Sequence, residues 1–185
     1  MMMTKFQRRT KCPTRGNQYY MNPDYGYGGW SNCVYSNKQA FNGATIYNCV
    51  GYAWGRWAEA QCTNGKCENG KTAKQLIAMR PKGNACTIYE NCKKNGSGFL
   101  VNKVKPKVGS IVCWTGGTSG KYAGYGHVAI VEKVNADGTI DISDCYSSYS
   151  SKRGGYFAYT KNVNPKTYLS GYTFQGYVYP LVEFV

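Results

Sequence analysis

The sequence predicts an α+β fold in which short helices pack on an antiparallel, strongly twisted sheet of about six strands. Valine and isoleucine together number twenty against four leucines, and the chain has 23 glycines and 18 tyrosines. This usage is typical of strands and turns rather than of helix bundles. A helical repeat of apolar residues begins at Ile46, and short β-type segments follow one another from Phe99 onwards. A chain of 185 residues is long enough for one domain with a substantial core but short for two.

The first 45 residues form a stretch rich in Gly, Tyr and Asn with little periodicity. Such a composition predicts irregular, turn-rich structure. We expect the core of the domain to span about residues 46–180. No internal repeat or low-complexity tract marks a linker, so the sequence predicts a single domain over residues 1–185.

The strongest helical pattern follows this segment. Its apolar positions recur at the spacing of one helix face and are Ile46, Cys49, Val50, Ala53, Trp54, Trp57 and Ala58. Asn48 is a good N-cap residue. A helix that begins there has Cys49 in its first turn and presents its apolar stripe to the core.

A second, shorter helix is predicted to begin after Thr72. Thr72 and Gln75 have the spacing of a capping box, in which each side chain satisfies a backbone N–H of the first turn. The helix should end before Pro81. We expect residues 62–70, between the two helices, to form a loop.

Six strands are predicted in the second half of the chain, in a meander of antiparallel type. They are residues 99–104, 110–115, 127–134, 139–145, 156–160 and 172–179. Turn-forming residues occupy positions 135–138, so the third and fourth strands should form a tight hairpin.

The register of this hairpin brings two polar residues together. If Val134 lies opposite Thr139, then Ala129 lies opposite Asp144. His127 and Asp144 then lie on the same face of the sheet, about one diagonal step apart, within reach of each other's side chains.

The chain is strongly basic, with 23 Lys and Arg against 9 Asp and Glu and a net charge of +14. This balance indicates a polyanionic partner, of which nucleic acid, anionic lipid and a bacterial wall with phosphate polymers are candidates. The basic residues are scattered, and no compact basic tract or basic-aromatic motif of a nucleic-acid reader stands out. A merely solubilising surface explains the charge equally well.

No apolar run approaches the roughly 18 residues of a membrane span. Residues 1–12 carry charges where a signal peptide would be apolar. We therefore expect a soluble protein with no membrane insertion and no export signal.

Nine cysteines occur, an odd number that leaves at least one outside intramolecular disulfides. They are Cys12, Cys33, Cys49, Cys62, Cys67, Cys86, Cys92, Cys113 and Cys145. One free thiol and four disulfides is the division that the count suggests. Zinc is disfavoured, because there is one histidine and no C-x-x-C. Disulfides would indicate an extracellular site of action.

Three residues of the sequence, Cys49, His127 and Asp144, are candidates for one catalytic site. Cys49 in the first turn of a helix is favoured as a nucleophile, since the helix N-terminus lowers a thiol pKa and can bind an oxyanion. His127, the only histidine, would be the general base, and Asp144 would orient its ring. Each has a plainer explanation: Cys49 as a disulfide or core residue, His127 as a core histidine, and Asp144 as a turn cap or the partner of a lysine.

Three blocks of the sequence carry a resemblance. Residues 47–57 (YNCVGYAWGRW), 105–114 (KPKVGSIVCW) and 126–132 (GHVAIVE) resemble, in family order, the CHAP family of cysteine, histidine-dependent amidohydrolases and peptidases. Residues 171–179 (GYTFQGYVY) resemble the closing strand of CHAP domains from bacteriophage endolysins. The similarity spans about residues 17–180. It implies a papain-like α+β fold and hydrolysis of an amide bond in peptidoglycan.

By this resemblance Cys49 is the nucleophile and His127 the general base. Asp144 stands where many members have Glu, and Tyr146 where the family often has Asn. Asn48 and Tyr146 are candidates for oxyanion binding or support. Some endolysins bind calcium through an acidic loop before the cysteine, but here Asp24 is the only acid before it, so we expect no metal and no cofactor.

The resulting interpretation is a single-domain, monomeric peptidoglycan hydrolase of endolysin type. It would cut either the bond between muramic acid and L-alanine or a peptide bond. Its partners would be peptidoglycan and anionic wall polymers rather than nucleic acid. Such a protein is made in the host cytoplasm and released through a separate membrane pore to act outside the cell.

Two alternatives remain open. One is a non-catalytic basic module that binds wall polymer or nucleic acid and is stabilised by disulfides. The other is a secreted or tail-associated amidase of bacterial origin.

Overall fold

A computed structural model describes residues 5–13, 17, 19–20, 48–67, 69–81, 83–117, 123–150 and 155–184. Most of the predicted irregular segment, including Asp24 and Cys33, lies outside them. The helices are α1 (Cys49–Ala60), α2 (Ala73–Ala78) and α3 (Ala85–Lys93). The strands are β1 (Cys62–Thr63), β2 (Lys66–Cys67), β3 (Val101–Asn102), β4 (Ile111–Gly116), β5 (His127–Val134), β6 (Ile140–Ser150), β7 (Gly155–Val163) and β8 (Tyr172–Val178).

The main sheet has six antiparallel strands in the order β3-β8-β4-β5-β6-β7. The predicted meander of six strands holds only for β4 to β7, because β8 returns to lie between β3 and β4 and pairs with both. The predicted α+β fold with about six strands is confirmed. No helix in the described ranges has the length and apolarity that a membrane crossing requires.

Helix α1 begins as predicted. The Asn48 side chain accepts a hydrogen bond of 2.6 Å from the N–H of Gly51, which caps the first turn. Trp54 and Trp57 are buried and pack edge-on against each other, with Phe99 beside both. The apolar stripe therefore attaches α1 firmly to the sheet.

The second helix has the predicted capping box between Thr72 and Gln75. The predicted loop of residues 62–70 instead contains the small hairpin β1–β2, closed by a disulfide between Cys62 and Cys67. Helix α3 is not among the predicted elements. Its buried residues are Ala85, Ile88, Tyr89 and Cys92, which have helical spacing, but the pattern covers only two turns.

The expected division of the cysteines into four disulfides and one free thiol is wrong. Six of the described cysteines are not in disulfides: Cys12, Cys49, Cys86, Cys92, Cys113 and Cys145. The last three are buried in the hydrophobic core. They pack as small apolar side chains, which is the ordinary environment of a cysteine that is not oxidised.

The β5–β6 hairpin has the predicted register at its far end but not near its turn. Ile130 pairs with Ser143, as the prediction requires, whereas Val134 pairs with Ile140. The difference of one residue is absorbed at Glu132, where β5 has one residue more than β6. Such a β-bulge bends a strand and redirects a side chain.

Gly126 determines how the chain enters β5 just before His127. Its φ of +75° lies in the left-handed region, and an added Cβ would lie 2.4 Å from the carbonyl oxygen of Trp114 and 2.6 Å from the backbone nitrogen of Cys86. The N–H of Gly126 donates to Gly116 at 3.0 Å. Close backbone approach therefore requires glycine at this position.

We predict that Gly126→Ala destabilises the protein by several kcal/mol more than Gly124→Ala. Gly124 has a similar φ of +79° but nothing within 4 Å of an added Cβ, so its substitution should cost only the conformational strain of about 1–2 kcal/mol. The free energy of unfolding is measured by urea denaturation followed by circular dichroism. Equal costs for the two variants would show that the close approach does not constrain the fold.

Candidate active site

The structure brings together the side chains of Cys49, His127 and Asp144. His127 Nε2 lies 2.7 Å from Asp144 Oδ2, and Cys49 forms a side-chain hydrogen bond with the same ring. Because Nε2 faces the carboxylate, Nδ1 is left for the sulfur. The order of groups is thiol, imidazole, carboxylate, which is the arrangement of a nucleophile, a base and an orienting acid.

The charge state of His127 follows from its two partners. Burial by itself lowers the pKa of His127, but hydrogen bonds with Asp144 and Cys49 outweigh it and raise the pKa to about 10. The ring is therefore an imidazolium at neutral pH. A cationic ring beside a sulfur supports a thiolate nucleophile.

His127 is the cationic partner of the Asp144 carboxyl group, which also forms a side-chain hydrogen bond with Tyr146. The carboxyl group is fully buried, and its Oδ1 has no hydrogen-bond partner in the described part of the chain. A buried carboxylate that is bonded through one oxygen interacts strongly with the cation on that side, since little water screens the pair. This one-sided pairing favours the protonated ring.

Helix α1 contributes its first turn to the site. Cys49 is the first helical residue, and Asn48 takes up the N–H of Gly51 through its side chain. The first N–H groups of a helix have no acceptor inside it, so those of Cys49 and Val50 are available to developing negative charge. The structure thus places Asn48 as the cap that holds this turn.

Aromatic rings enclose the imidazole. Tyr146 stacks on His127 with the ring centroids 5.0 Å apart, and Trp114 lies at 6.0 Å. The Tyr146 hydroxyl lies 3.4 Å from that of Tyr168, while Trp114 Nε1 donates to the carbonyl oxygen of Pro165 at 2.7 Å. Burial, Asp144 and Tyr168 all raise the pKa of Tyr146, so this residue supports the ring as a neutral stacking partner.

A buried polar network joins the three elements that carry these side chains. We call it the buried clamp, and its members are Tyr52 and Arg56 of α1, Glu132 of β5 and Ser143 of β6. Arg56 Nε and Nη2 donate to the two oxygens of Glu132 at 2.8 and 2.9 Å. Ser143 donates to Glu132 Oε1 at 2.7 Å and accepts from the Tyr52 hydroxyl at 2.7 Å.

The clamp has the satisfied geometry that a buried ion pair requires. Glu132 also accepts from the backbone N–H of Arg9 at 2.9 Å, and Arg56 also contacts Glu59 at 3.1 Å and the carbonyl oxygen of Gln7. Arg56 and Glu132 are both almost fully buried. Removing one partner from such a pair leaves an uncompensated charge in the interior.

The clamp is not among the sequence predictions, although the sequence positions of Arg56 and Glu132 indicate that each charge is buried. Arg56 follows Cys49 by seven residues, on the buried side of a helix, and Glu132 ends the apolar run of β5. A charge among buried positions usually has an opposite partner. Which charge pairs with which was not visible from the sequence.

Among the described residues, no group of three or more His, Cys, Asp and Glu side chains is arranged so that it could hold a metal ion.

Comparison with known proteins gives one family and a distant structural likeness. A family model described as "CHAP domain" matches residues 39–145, and no curated protein matches the chain. Two solved structures, "The crystal structure of Ly7917" and "The crystal structure of Ly7917 with the hydrolyzing product of MDP", each share 24% identity, with TM-scores of 0.38 and 0.39. The matches cover 72% of this chain and 53% of those chains, so this chain spans about half their length.

We predict that replacing one partner of the Arg56–Glu132 pair destabilises the protein strongly, and that replacing both partners costs less than the sum of the two single changes. Arg56→Met and Glu132→Leu should each lower the free energy of unfolding by about 3–5 kcal/mol. The double variant should cost less than the sum, since no charge is left unpaired.

The matched control is the exposed pair Lys107–Glu183, for which Lys107→Met and Glu183→Leu should each cost about 1 kcal/mol or less. Chemical denaturation measures all the variants. If Arg56→Met cost no more than Lys107→Met, the clamp would not hold the fold together.

We also predict that Asp144→Ala lowers the pKa of His127 from about 10 towards the ordinary value of about 6.5. Because the pKa is raised in the folded protein, the pair contributes its full stabilisation below about pH 6.5 and loses it as the pH rises through the folded pKa. NMR titration of the ring protons reports His127 directly, since it is the only histidine.

The control is Asp141→Asn, which changes another buried carboxylate of β6, bonded to Tyr159 and Asn162 rather than to the imidazole. This variant should leave the pKa of His127 unchanged. An unchanged His127 pKa in Asp144→Ala would mean that another group orients the ring.

Proposed function

The chain belongs to the CHAP domain family, and from this premise we propose that it is a peptidoglycan hydrolase that cuts an amide or peptide bond through Cys49, His127 and Asp144. Members of this family are cysteine, histidine-dependent amidohydrolases or peptidases. The observation that carries the proposal is the His127–Asp144 hydrogen bond of 2.7 Å beside a free, half-buried thiol at a helix N-terminus.

In the acylation step, the Cys49 thiolate attacks the carbonyl carbon of the scissile amide. A C–S bond forms and the carbonyl electron pair moves onto oxygen, where the N–H groups at the start of α1 stabilise the oxyanion. When the carbonyl reforms, the C–N bond breaks and His127 gives its proton to the leaving nitrogen. The products of this step are a free amine and a thioester on Cys49.

In the deacylation step, neutral His127 takes a proton from water as the water oxygen attacks the thioester carbonyl. The C–S bond breaks, the acyl group leaves as a carboxylic acid, and the sulfur departs as thiolate beside the imidazolium. Asp144 holds the ring orientation through both steps and favours its charged form. The resting pair is thereby restored.

The cell wall is the proposed substrate because the chain combines this chemistry with a charge of +14. Bacterial walls that carry phosphate polymers are polyanions, and a basic protein accumulates on them by electrostatic attraction. An endolysin that is released from the host cytoplasm through a separate pore is the biological setting that the sequence resemblance favours. We propose a monomer that acts on the wall and not on nucleic acid.

We predict that Cys49→Ala abolishes hydrolysis of purified peptidoglycan while binding to the wall remains. No neighbouring side chain can replace the thiolate as the covalent nucleophile. Cys12→Ala is the control, since Cys12 is also a half-buried free thiol, and burial raises its pKa to about 11. This variant should keep full activity.

Mass spectrometry of the released fragments identifies the bond. A new amine on L-alanine with muramic acid intact indicates an amidase, and a split peptide indicates an endopeptidase. No fragments from the parent protein, together with retained wall binding, would support the non-catalytic module instead.

A further inference from the structure

A cationic cavity lies on the chain away from the three catalytic candidates. It has a volume of about 630 Å³ and lies between the N-terminal segment of residues 5–11, the last turns of α1 and strand β1. Its charged lining residues are Lys5, Arg8, Arg9, Lys11, Arg56 and Glu59. Five cations and one carboxylate therefore surround this space.

The cations divide into paired and unpaired groups. Arg56 is paired with Glu132, and Arg9 with Glu59. Lys5, Arg8 and Lys11 are exposed and have no carboxylate partner within the described ranges, and the Arg8 side chain forms a hydrogen bond with Tyr159. Their charge is therefore available to a ligand.

The N-terminal wall of the cavity is held in place by buried groups. The backbone N–H of Arg9 donates to Glu132 at 2.9 Å, and Arg56 donates to the carbonyl oxygen of Gln7. Phe6 packs edge-on against Phe184 with the ring centroids 5.1 Å apart. These contacts fix the backbone of the segment, while the side chains of Lys5, Arg8 and Lys11 remain exposed.

We propose that this cavity binds the phosphate groups of an anionic wall polymer, an assignment that rests on the proposed function and gives it a second substrate-binding site. Guanidinium and ammonium groups are the usual protein partners of phosphate. No aromatic residue is among the described residues that line the cavity. Single-stranded nucleic acids bind largely by stacking bases on aromatic rings, so the lining favours a polymer without bases.

The position of the cavity suits a polymer that is held during catalysis. Cys49 is the first residue of α1, and Arg56, Glu59 and Ala60 line the cavity. At 1.5 Å per residue these positions lie about 10–17 Å along the helix from Cys49. A wall strand anchored there keeps further bonds near the thiol at a raised effective concentration.

The test measures binding of soluble poly(glycerol phosphate) to the full chain carrying Cys49→Ala, so that no cleavage interferes. The triple change Lys5→Gln, Arg8→Gln and Lys11→Gln should weaken binding about 10–100-fold at low salt. It should also flatten the dependence of log affinity on log salt concentration by about 2–3 units, roughly one for each lost phosphate contact.

The matched control removes the same charge elsewhere, through Lys94→Gln, Lys103→Gln and Lys105→Gln on exposed positions outside the cavity. It should reduce affinity less than threefold. Equal losses in both triple variants would mean that net charge alone binds the polymer, which overturns the site. Arg8→Gln alone should still weaken binding measurably, and thermal unfolding checks that every variant is folded.

Two further measurements distinguish this site from the proposed function. Single-stranded DNA of matched charge should bind more weakly than the polymer, and equal or tighter binding that depends on the same three cations would overturn the assignment to a wall polymer. In the background with Cys49 intact, cleavage of a short polymer-free peptidoglycan fragment by the parent protein measures the hydrolase activity separately from binding at the cavity. If the parent cleaves nothing, the hydrolase proposal fails while the binding result stands.

Discussion

The ion pair between Arg56 and Glu132 is the contact on which the geometry of the site depends. It joins α1 to β5 in an interior where neither charge reaches water, so the pair must form with good geometry or the fold loses several kcal/mol. Cys49 lies two turns before Arg56 on α1, and His127 begins β5 five residues before Glu132. Because the ion pair joins the helix to the strand, it restricts the helix rotation and the strand shift that would separate the thiol from the imidazole.

Strand β6 completes this arrangement through two consecutive residues. Neighbouring side chains of a strand point to opposite faces, and Ser143 bonds Glu132 and Tyr52 while Asp144 bonds His127. One strand thus supplies both the clamp and the orienting acid. The bulge at Glu132 gives β5 the extra residue that shifts its register against β6, and beyond it Val131 and Ile130 pair with Ile142 and Ser143.

Local sequence patterns predicted the elements that carry the site, whereas the long-range pairing of Arg56 with Glu132 was not predicted. The cap at Asn48, the capping box at Thr72 and the apolar run of β5 each depend on a few neighbouring residues, and the structure has all three. The Arg56–Glu132 pair joins residues 76 positions apart, and a sequence does not say which buried charges meet. The cysteine prediction was wrong because the count says nothing about burial, and a buried thiol packs well without oxidation.

The distribution of acids differs between the proposed catalytic site and the proposed attachment surface. Among the described acidic residues Glu132, Asp141 and Asp144 are buried, whereas the buried Lys and Arg side chains of the described residues are Arg56 and Arg80. The surface is therefore poorer in carboxylates than the composition suggests, and anionic polymer meets little repulsion there. At physiological ionic strength, salt largely screens interactions between exposed charges that lie more than about 8–10 Å apart, and it weakens buried pairs much less. Attachment should then respond to ionic strength while the imidazolium–carboxylate pair keeps its charge state, because one field lies outside the protein and the other inside.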